Sequence, residues 1–335
     1  MPLGEVQELL DHVTMTAVIQ EFRYANLQLA DFFCPNPEET KGGDSFAYDI
    51  LKASRDTAAP KTPGAPSKRV ALTPVGDKSG RCIHMAEHKM LDGDRLANVR
   101  KMGSRERERV ENYVARELRD LERRRRRLRE LAVALMLTGT LTISEDDVKA
   151  SVDYEMDSNH QPTAAASWAT STTDIPDDLD TWIDLVEKDS GYTPEHAWIN
   201  RKIMRYMMDN TKVKEFLGTA EYKAQVGKLG YIREFHGLTW HIYSQGYVPS
   251  GGSFTRYIAD DKLILVPQPS PEWVNILNGS TMIANLTSED LVEVFGEYSH
   301  ALLEKDPAGY KAIVGDTFIP ALFVPDAIVY ADVTP

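Results

Sequence analysis

The chain has 335 residues, 42% of them hydrophobic, enough for one large or two ordinary domains with a substantial core. Lys and Arg number 38 against 51 Asp and Glu, and the resulting charge of −13 excludes a whole-surface nucleic-acid binder while leaving loose proximity to DNA, where repulsion prevents sticking. Two cysteines, Cys34 and Cys82, are too few for a disulfide framework and imply assembly in a reducing compartment, no stretch approaches the ~20 apolar residues of a membrane span, and MPLGEVQELL is unlike a signal peptide in having no early Lys or Arg.

Val6, Leu9, Leu10 and Val13 have helical spacing in a short N-terminal segment, which FFCPNPEETKGG then breaks. Phe46, Tyr48 and Ile50 alternate with Ser45, Ala47 and Asp49, the period of a strand. SRDTAAPKTPGAPSKRVALTPVGDKSG follows, with Pro60, Pro63, Pro66 and Pro74, too polar for core and too long for an ordinary connection. Arg81 to Met90 reads as a returning extended segment. Together, residues 44–90 are expected to form a long two-stranded loop that is not stable alone in water. Such an arm rests on something else, most economically another subunit.

Residues 104–137 predict one unbroken helix, free of Pro and Gly and rich in strong helix formers. At 1.5 Å per residue it reaches roughly 50 Å, against a mean globular helix of about 11–12 residues. Val114, Leu121, Leu128 and Leu135 lie seven apart, Leu118 and Ala132 add partners, and the intervening seam position is Arg125. A coiled coil needs two apolar seam positions per heptad over several heptads. This narrow, interrupted stripe predicts instead a spine laid on a sheet, started by Ser104 and stopped by Gly139. Arg123 to Arg127 form a run of five, with Arg119 and Arg129 nearby. Guanidinium groups suit phosphate; they suit equally Glu117, Asp120, Glu122 and Glu130 on the same helix. A run of five wraps the whole circumference and so makes no single flat strip, which favours local or inter-subunit ion pairs over nucleic acid. The candidate subunit-contact residues are Arg123, Arg124, Arg125, Arg126 and Arg127, with Phe46, Tyr48 and Ile50 on the arm.

After the spine, Val148, Ala150, Val152, Tyr154 and Met156 alternate as a strand. Pro176 opens a helix with Leu179, Trp182, Ile183 and Val186 on its apolar face; Thr193 is expected to cap a second, lined by Ile199, Ile203 and Met207; a third spans Thr219 to Lys228. Leu238, Trp240 and Ile242 alternate, YVPSGGSF supplies a turn, and DDKLILVP is a short buried strand. The apolar, proline-interrupted end DPAGYKAIVGDTFIPALFVPDAIVYAD predicts strands rejoining the sheet under the spine. The order is arm, spine, strand, inserted α+β lobe and closing strands.

HMAEH, at His84, Glu87 and His88, matches the H-x-x-E-H pattern of inverted zincins. Five residues with three fixed positions arise easily by chance. PVGDKSGRCI before it and Gly93 after it leave little room for a helix, and no distant third ligand stands out. No phosphate-binding G-x-x-x-x-G-K-[ST] and no G-x-S-x-G elbow occur. No metal site, cofactor or catalytic residue is therefore assigned, and a zinc metallopeptidase stands only as the competing reading of a different class.

LADFFCPNPEETKGGDSFAYDI, HKMLDGDRLANVRKMGSRERER, ELAVALMLTGTLTI followed by SVDYEMD, IPDDLDTWID, WINRKIMRYMMDNTKVKEFLG, LTWHIYSQGYV, IADDKLILVPQ and DPAGYKAIVGDTFIPALFVPDAIVYADV, in that order, resemble the segments of a lambda-type major capsid protein of tailed bacteriophages. The resemblance covers nearly the whole chain as a pattern of segments, departing at the proline-rich tip, mid-way through the inserted lobe and over 267–300. It implies the α+β Hong Kong ninety-seven capsid fold: N-terminal arm 1–43, extended loop 44–92, peripheral domain 93–173 with the spine, axial domain 174–285, and a return to the peripheral domain over 286–335. It further implies a non-enzymatic protein without cofactors. Such a protein assembles in the host cytoplasm, with itself as hexamers and pentamers, into the icosahedral head of the virion. Scaffold, portal and decoration proteins are its expected partners, and it encloses double-stranded DNA without sequence-specific binding and without a membrane. An encapsulin-like nanocompartment, which shares the fold but holds protein cargo, is the nearest alternative.

Overall fold

The computed structural model describes residues 10–22, 27–40, 42–51, 75–92, 104–145, 148–249, 251–284, 290–305 and 308–335. The expected loop tip, with Pro60, Pro63, Pro66 and Pro74, lies outside the described residues. In chain order come α1 (His12–Glu21), α2 (Leu29–Phe33), β1 (Glu38–Glu39), β2 (Ser45–Leu51), β3 (Val75–Arg81), β4 (Ile83–Asp92) and the spine helix α3 (Ser104–Met136). Then follow β5 (Thr140–Glu145), β6 (Val148–Asp153), α4 (Ile175–Asp189), β7 (His196–Ile199), α5 (Arg201–Asp209), α6 (Thr211–Leu229), β8 (Glu234–Phe235) and β9 (Leu238–Ile242). The remainder is strand: β10 (Gly246–Tyr247), β11 (Thr255–Arg256), β12 (Lys262–Val266), β13 (Val274–Asn278), β14 (Ser280–Ala284), β15 (Leu291–Phe295), β16 (Tyr298–Lys305), β17 (Ala308–Leu322) and β18 (Val329–Asp332).

The chain forms two compact units. The first is Met1–Ala47, Ser79–Val133 and Asn275–Ala321; the second is Tyr48–Lys78, Ala134–Val274 and Leu322–Pro335.

In the first unit the long strand β17 organises a five-stranded sheet of order β1-β13-β17-β16, with β4 also on β17. β17 runs antiparallel to β16 from Ala308↔Lys305 to Gly315↔Tyr298, and antiparallel to β4 from Gly309↔Asp92 to Phe318↔Ile83. The stripe Val114, Leu118 and Leu121 of α3 packs on Ala301, Ala312 and Val314 of this sheet, with Leu10, Met15 and Ile19 of the N-terminal segment filling in beside it. That is the sheet-laid spine expected from a stripe too narrow for a coiled-coil seam. Asp11 caps α1 by accepting from the Val13 N–H at 3.3 Å. The Thr16 hydroxyl donates to the Ser299 carbonyl and accepts from the Ser299 N–H, tying α1 to β16.

In the second unit the sheet has the order β18-β12-β7-β9-β8, antiparallel except for the parallel pair β7–β9. Trp168, Trp182, Trp240, Leu263 and Val329 anchor its core, with Ile175, Leu179 and Val186 of α4 and Ile203 and Met207 of α5. Each such side chain contributes roughly 1.5–3 kcal/mol by leaving water. Trp168 stacks on Trp182 with centroids 5.9 Å apart and donates to Asp178 at 2.8 Å, satisfying the one polar atom of a fully buried ring. Gly139 ends the spine at φ +85, where a Cβ would come within 2.9 Å of the Met156 Cβ, so both backbone and space demand glycine.

Three local expectations are corrected and one is met. Residues His196–Ile199 are a strand, and Asn200, not Thr193, caps α5 by accepting from the Lys202 and Ile203 N–H groups. The third helical stretch, expected over Thr219 to Lys228, is present: Gly218, at φ +73 and ψ 155, divides α6 into a first part from Thr211 and a second that runs on to Leu229. The closing strands divide, β17 entering the first sheet and β18 the second. β4 pairs with β17, so the two-stranded ribbon expected over 44–90 consists of β2 and β3 alone.

Candidate contact faces of the spine helix

The five arginines separate by direction, because successive residues on a helix are 100° apart. Arg125, at the seam position, points into the chain and is 1% exposed. Its Nε and Nη2 donate to Glu122 at 2.7 Å each, its Nη1 to Asp316 on β17 at 2.5 Å, and Glu297 lies 2.5 Å from Nη2. Burial works against the charge; Asp316 and Glu122 outweigh it and raise the guanidinium pKa well above its ordinary value. Arg126 bonds Glu122 at 2.9 Å and lies 3.7 Å from Asp31; Arg129 bonds Asp316 at 3.0 Å and Asn278 at 2.9 Å. Arg124 pairs with Glu87 of β4. Arg123 and Arg127 lie on the exposed side.

The acids of the helix are engaged as well. Lys89 of β4 donates to Glu117 at 3.0 Å and to Asp120 at 2.6 Å, and those bonds hold both carboxyls below their ordinary range. Glu130, 1% exposed, accepts the N–H groups of Gln28, Leu29 and Ala30 at 3.0, 2.8 and 3.0 Å. A spine carboxylate thus satisfies the orphan donors at the start of α2, a short helix whose own N-cap residue, Gln28, makes no side-chain capping bond. Sequence reasoning did not find this role. An acid amid the arginines signals a surface pair, and its backbone partners lie 100 residues away.

On the arm, Phe46, Tyr48 and Ile50 are buried within their own chain, at 4%, 8% and 0% exposure, with Tyr48 edge-on to Phe323 at 5.4 Å. The strand alternation is as expected; the apolar side faces the chain's interior.

HMAEH forms no helix. It lies in β4, where His84 and His88 share one face and Glu87 takes the other, toward Arg124. Four residues of strand place the two imidazoles' Cα atoms about 13 Å apart, too far for one zinc with Zn–N near 2.0–2.1 Å. His84 instead bonds Thr317 at 2.8 Å. The metallopeptidase reading loses its geometric basis. Burial raises the thiol pKa of Cys34, and that of Cys82 to about 11, so neither is a nucleophile at neutral pH.

Known proteins agree with an architecture of this kind. A capsid protein described from a prophage of E. coli CFT073 is 13% identical, with a TM-score of 0.64 over 97% of this chain and 99% of that one. A phage-related protein from Bordetella bronchiseptica RB50 is 12% identical, with a TM-score of 0.60 over 97% of each chain. The mature capsid of bacteriophage PhiM1 gives 11% identity and a TM-score of 0.53 over 93% and 88%. At these identities the likeness is one of fold, the Hong Kong ninety-seven type. No curated protein matches the sequence. The family model described as phage major capsid protein E matches residues 11–333, so the chain belongs to that family and is a structural protein of a phage head shell.

Proposed function

We propose that the chain assembles in the host cytoplasm, as hexamers and pentamers, into the icosahedral head of a tailed phage, enclosing double-stranded DNA without reading its sequence. The observation that carries this is the family match over residues 11–333. The role is mechanical, without catalysis or cofactor, and scaffold, portal and decoration proteins are its partners. The peripheral and axial domains and the extended loop of 44–92 are assigned on the same basis. Arg123, Arg124 and Arg127 provide the contacts between copies, because these members of the run are exposed. Arg125 and Arg126 act on assembly indirectly, by holding the spine on its sheet, and Phe46, Tyr48 and Ile50 by holding the base of the loop. Shell energy comes from area buried at every repeated contact. Negative-stain imaging of purified protein tests this: closed shells or capsomer rings are expected, and particles loaded with protein cargo in place of nucleic acid would mark a nanocompartment. A chain that stays monomeric under every assembly condition overturns it.

A further inference from the structure

Two helices of the second unit carry charge that works against their own chain. On α5, Ile203, Met204 and Met207 face the core, and Arg201, Lys202 and Arg205 are exposed. Arg201 and Lys202 stand in the first turn, where the helix dipole disfavours cations, and Asp209 ends the helix, where it disfavours an anion. Lys202 lies over the Tyr206 ring at 6.0 Å. The Arg201 and Arg205 guanidinium groups make no ion pair or hydrogen bond among the described residues. α4 is the acidic counterpart. Asp174, its N-cap residue, makes no side-chain capping bond, and Asp174 and Asp177 are exposed without an ion pair among the described residues. Beside them Asp178 accepts from Trp168 at 2.8 Å. Burial raises the Asp178 carboxyl above its ordinary range, and the charges of Asp177 and Asp174 raise it further. The start of a helix offers about half a positive charge, and here three carboxylates crowd it.

We propose that Arg201 and Arg205 on α5 of one copy bind Asp174 and Asp177 on α4 of the next copy around a ring. This rests on the shell-forming reading above and names one contact that such a shell requires. The two faces stand apart on one chain. Asn210, which follows α5, donates from Nδ2 to the Thr173 carbonyl beside Asp174 at 2.9 Å, while Arg201 opens the helix about 13.5 Å away. A ring joins two such different, complementary faces, since its contact is head-to-tail. The arginines are about 6 Å apart along their helix and the aspartates about 4.5 Å along theirs. Both pairs therefore form together, each with the fork-to-carboxylate geometry that arginine favours. A phosphate partner would satisfy the arginines and leave the crowded acids of α4 as they are; a second copy accounts for both. Exposed pairs are weak singly and screened by salt, so their effect comes from repetition around the ring.

A charge swap tests the pairing, with the unaltered protein assembled alongside. Arg201→Glu/Arg205→Glu is expected to lower the yield of rings and closed particles at least about tenfold. The free subunit should melt no lower, because an acid in the first turn of α5 suits the dipole. Asp174→Lys/Asp177→Lys should lower the yield as far, and all four changes in one chain should restore it to within about twofold. If a charge-reversed variant fails to fold, Arg201→Gln/Arg205→Gln, Asp174→Asn/Asp177→Asn and their combination carry the test. Each neutral pair should then lower the yield about threefold, and the combination no further. A reversed chain with all four changes that is as impaired as its parents, or a neutral one whose losses multiply, overturns the pairing. An impaired arginine variant beside an unaffected aspartate variant also overturns it. So does an arginine variant that assembles normally, and one that assembles but loses nucleic acid does so in favour of phosphate. Unaltered protein that stays monomeric overturns the shell-forming reading, and this contact with it.

Discussion

Two histidines are held neutral by their surroundings. Burial depresses His300 to about 4, helped by His12, and His241 to about 4, helped by His196 and Arg233. A folded-state pKa below the unfolded imidazole value near 6.5 contributes stability that is present above 6.5 and lost as pH falls through 4. The melting temperature should therefore decline between pH 6.5 and 5, before most carboxylates titrate, and His300→Gln should flatten part of that decline. Melting curves that are level over this range for the unaltered protein would contradict it. His84 and His88 carry a second prediction: zinc analysis of purified protein should give far less than one ion per chain, unchanged by His84→Ala. Stoichiometric zinc lost on that substitution would refute the strand geometry as the deciding fact.

At the scale of elements, Glu130 is the joint on which α2 depends. Glu130→Ala removes the acceptor of three backbone N–H groups, of which that of the buried Leu29 loses about 1–3 kcal/mol and those of Gln28 and Ala30, nearer solvent, less. The expected result is accelerated hydrogen exchange over residues 28–34 with the β17 amides still protected. Uniform exchange would place the latch elsewhere. The spine itself was legible, since 33 residues without Gly or Pro leave no other local structure, and its end was predicted within one residue. β7 was not, because Ile199, Ile203 and Met207 continue a four-residue period across the Asn200 cap, and only pairing with β12 and β9 makes the first of them a strand residue. β4 was legible as extended but not as a sheet member, because its partner β17 lies over 200 residues downstream. The sorting of the arginines was only half visible. Arg125 at an apolar seam position signals an inward charge, but its partner Asp316 is 191 residues away, and no local pattern names it.

For the whole molecule, the arginine run separates two demands on a shell protein: each copy must hold itself together, and copies must hold one another. Arg125 serves the first. Replacing it by Gln leaves Asp316, 0% exposed at the side chain, to Arg129 alone and Glu122, 1% exposed, to Arg126 alone, at a cost toward the lower end of the about 3–5 kcal/mol of a broken buried pair. The free subunit should melt well below the unaltered protein, and assembly should fail for want of folded chain. Arg125→Met fills similar volume and removes one charge, yet leaves the same two carboxylates, so it should be no better. On the proposed reading, the exposed Arg123 and Arg127 serve the second. Arg123→Gln/Arg127→Gln should shift subunit stability by no more than about 0.5 kcal/mol while lowering particle yield, the more so as ionic strength rises and the remaining exposed pairs are screened. Paired measurements on each variant, melting of the subunit and sedimentation of the assembled material, separate the two roles. If Arg123→Gln/Arg127→Gln lowers the melting temperature as far as Arg125→Gln does, the outward arginines are structural within the chain, and the contacts that close the shell lie on other surfaces.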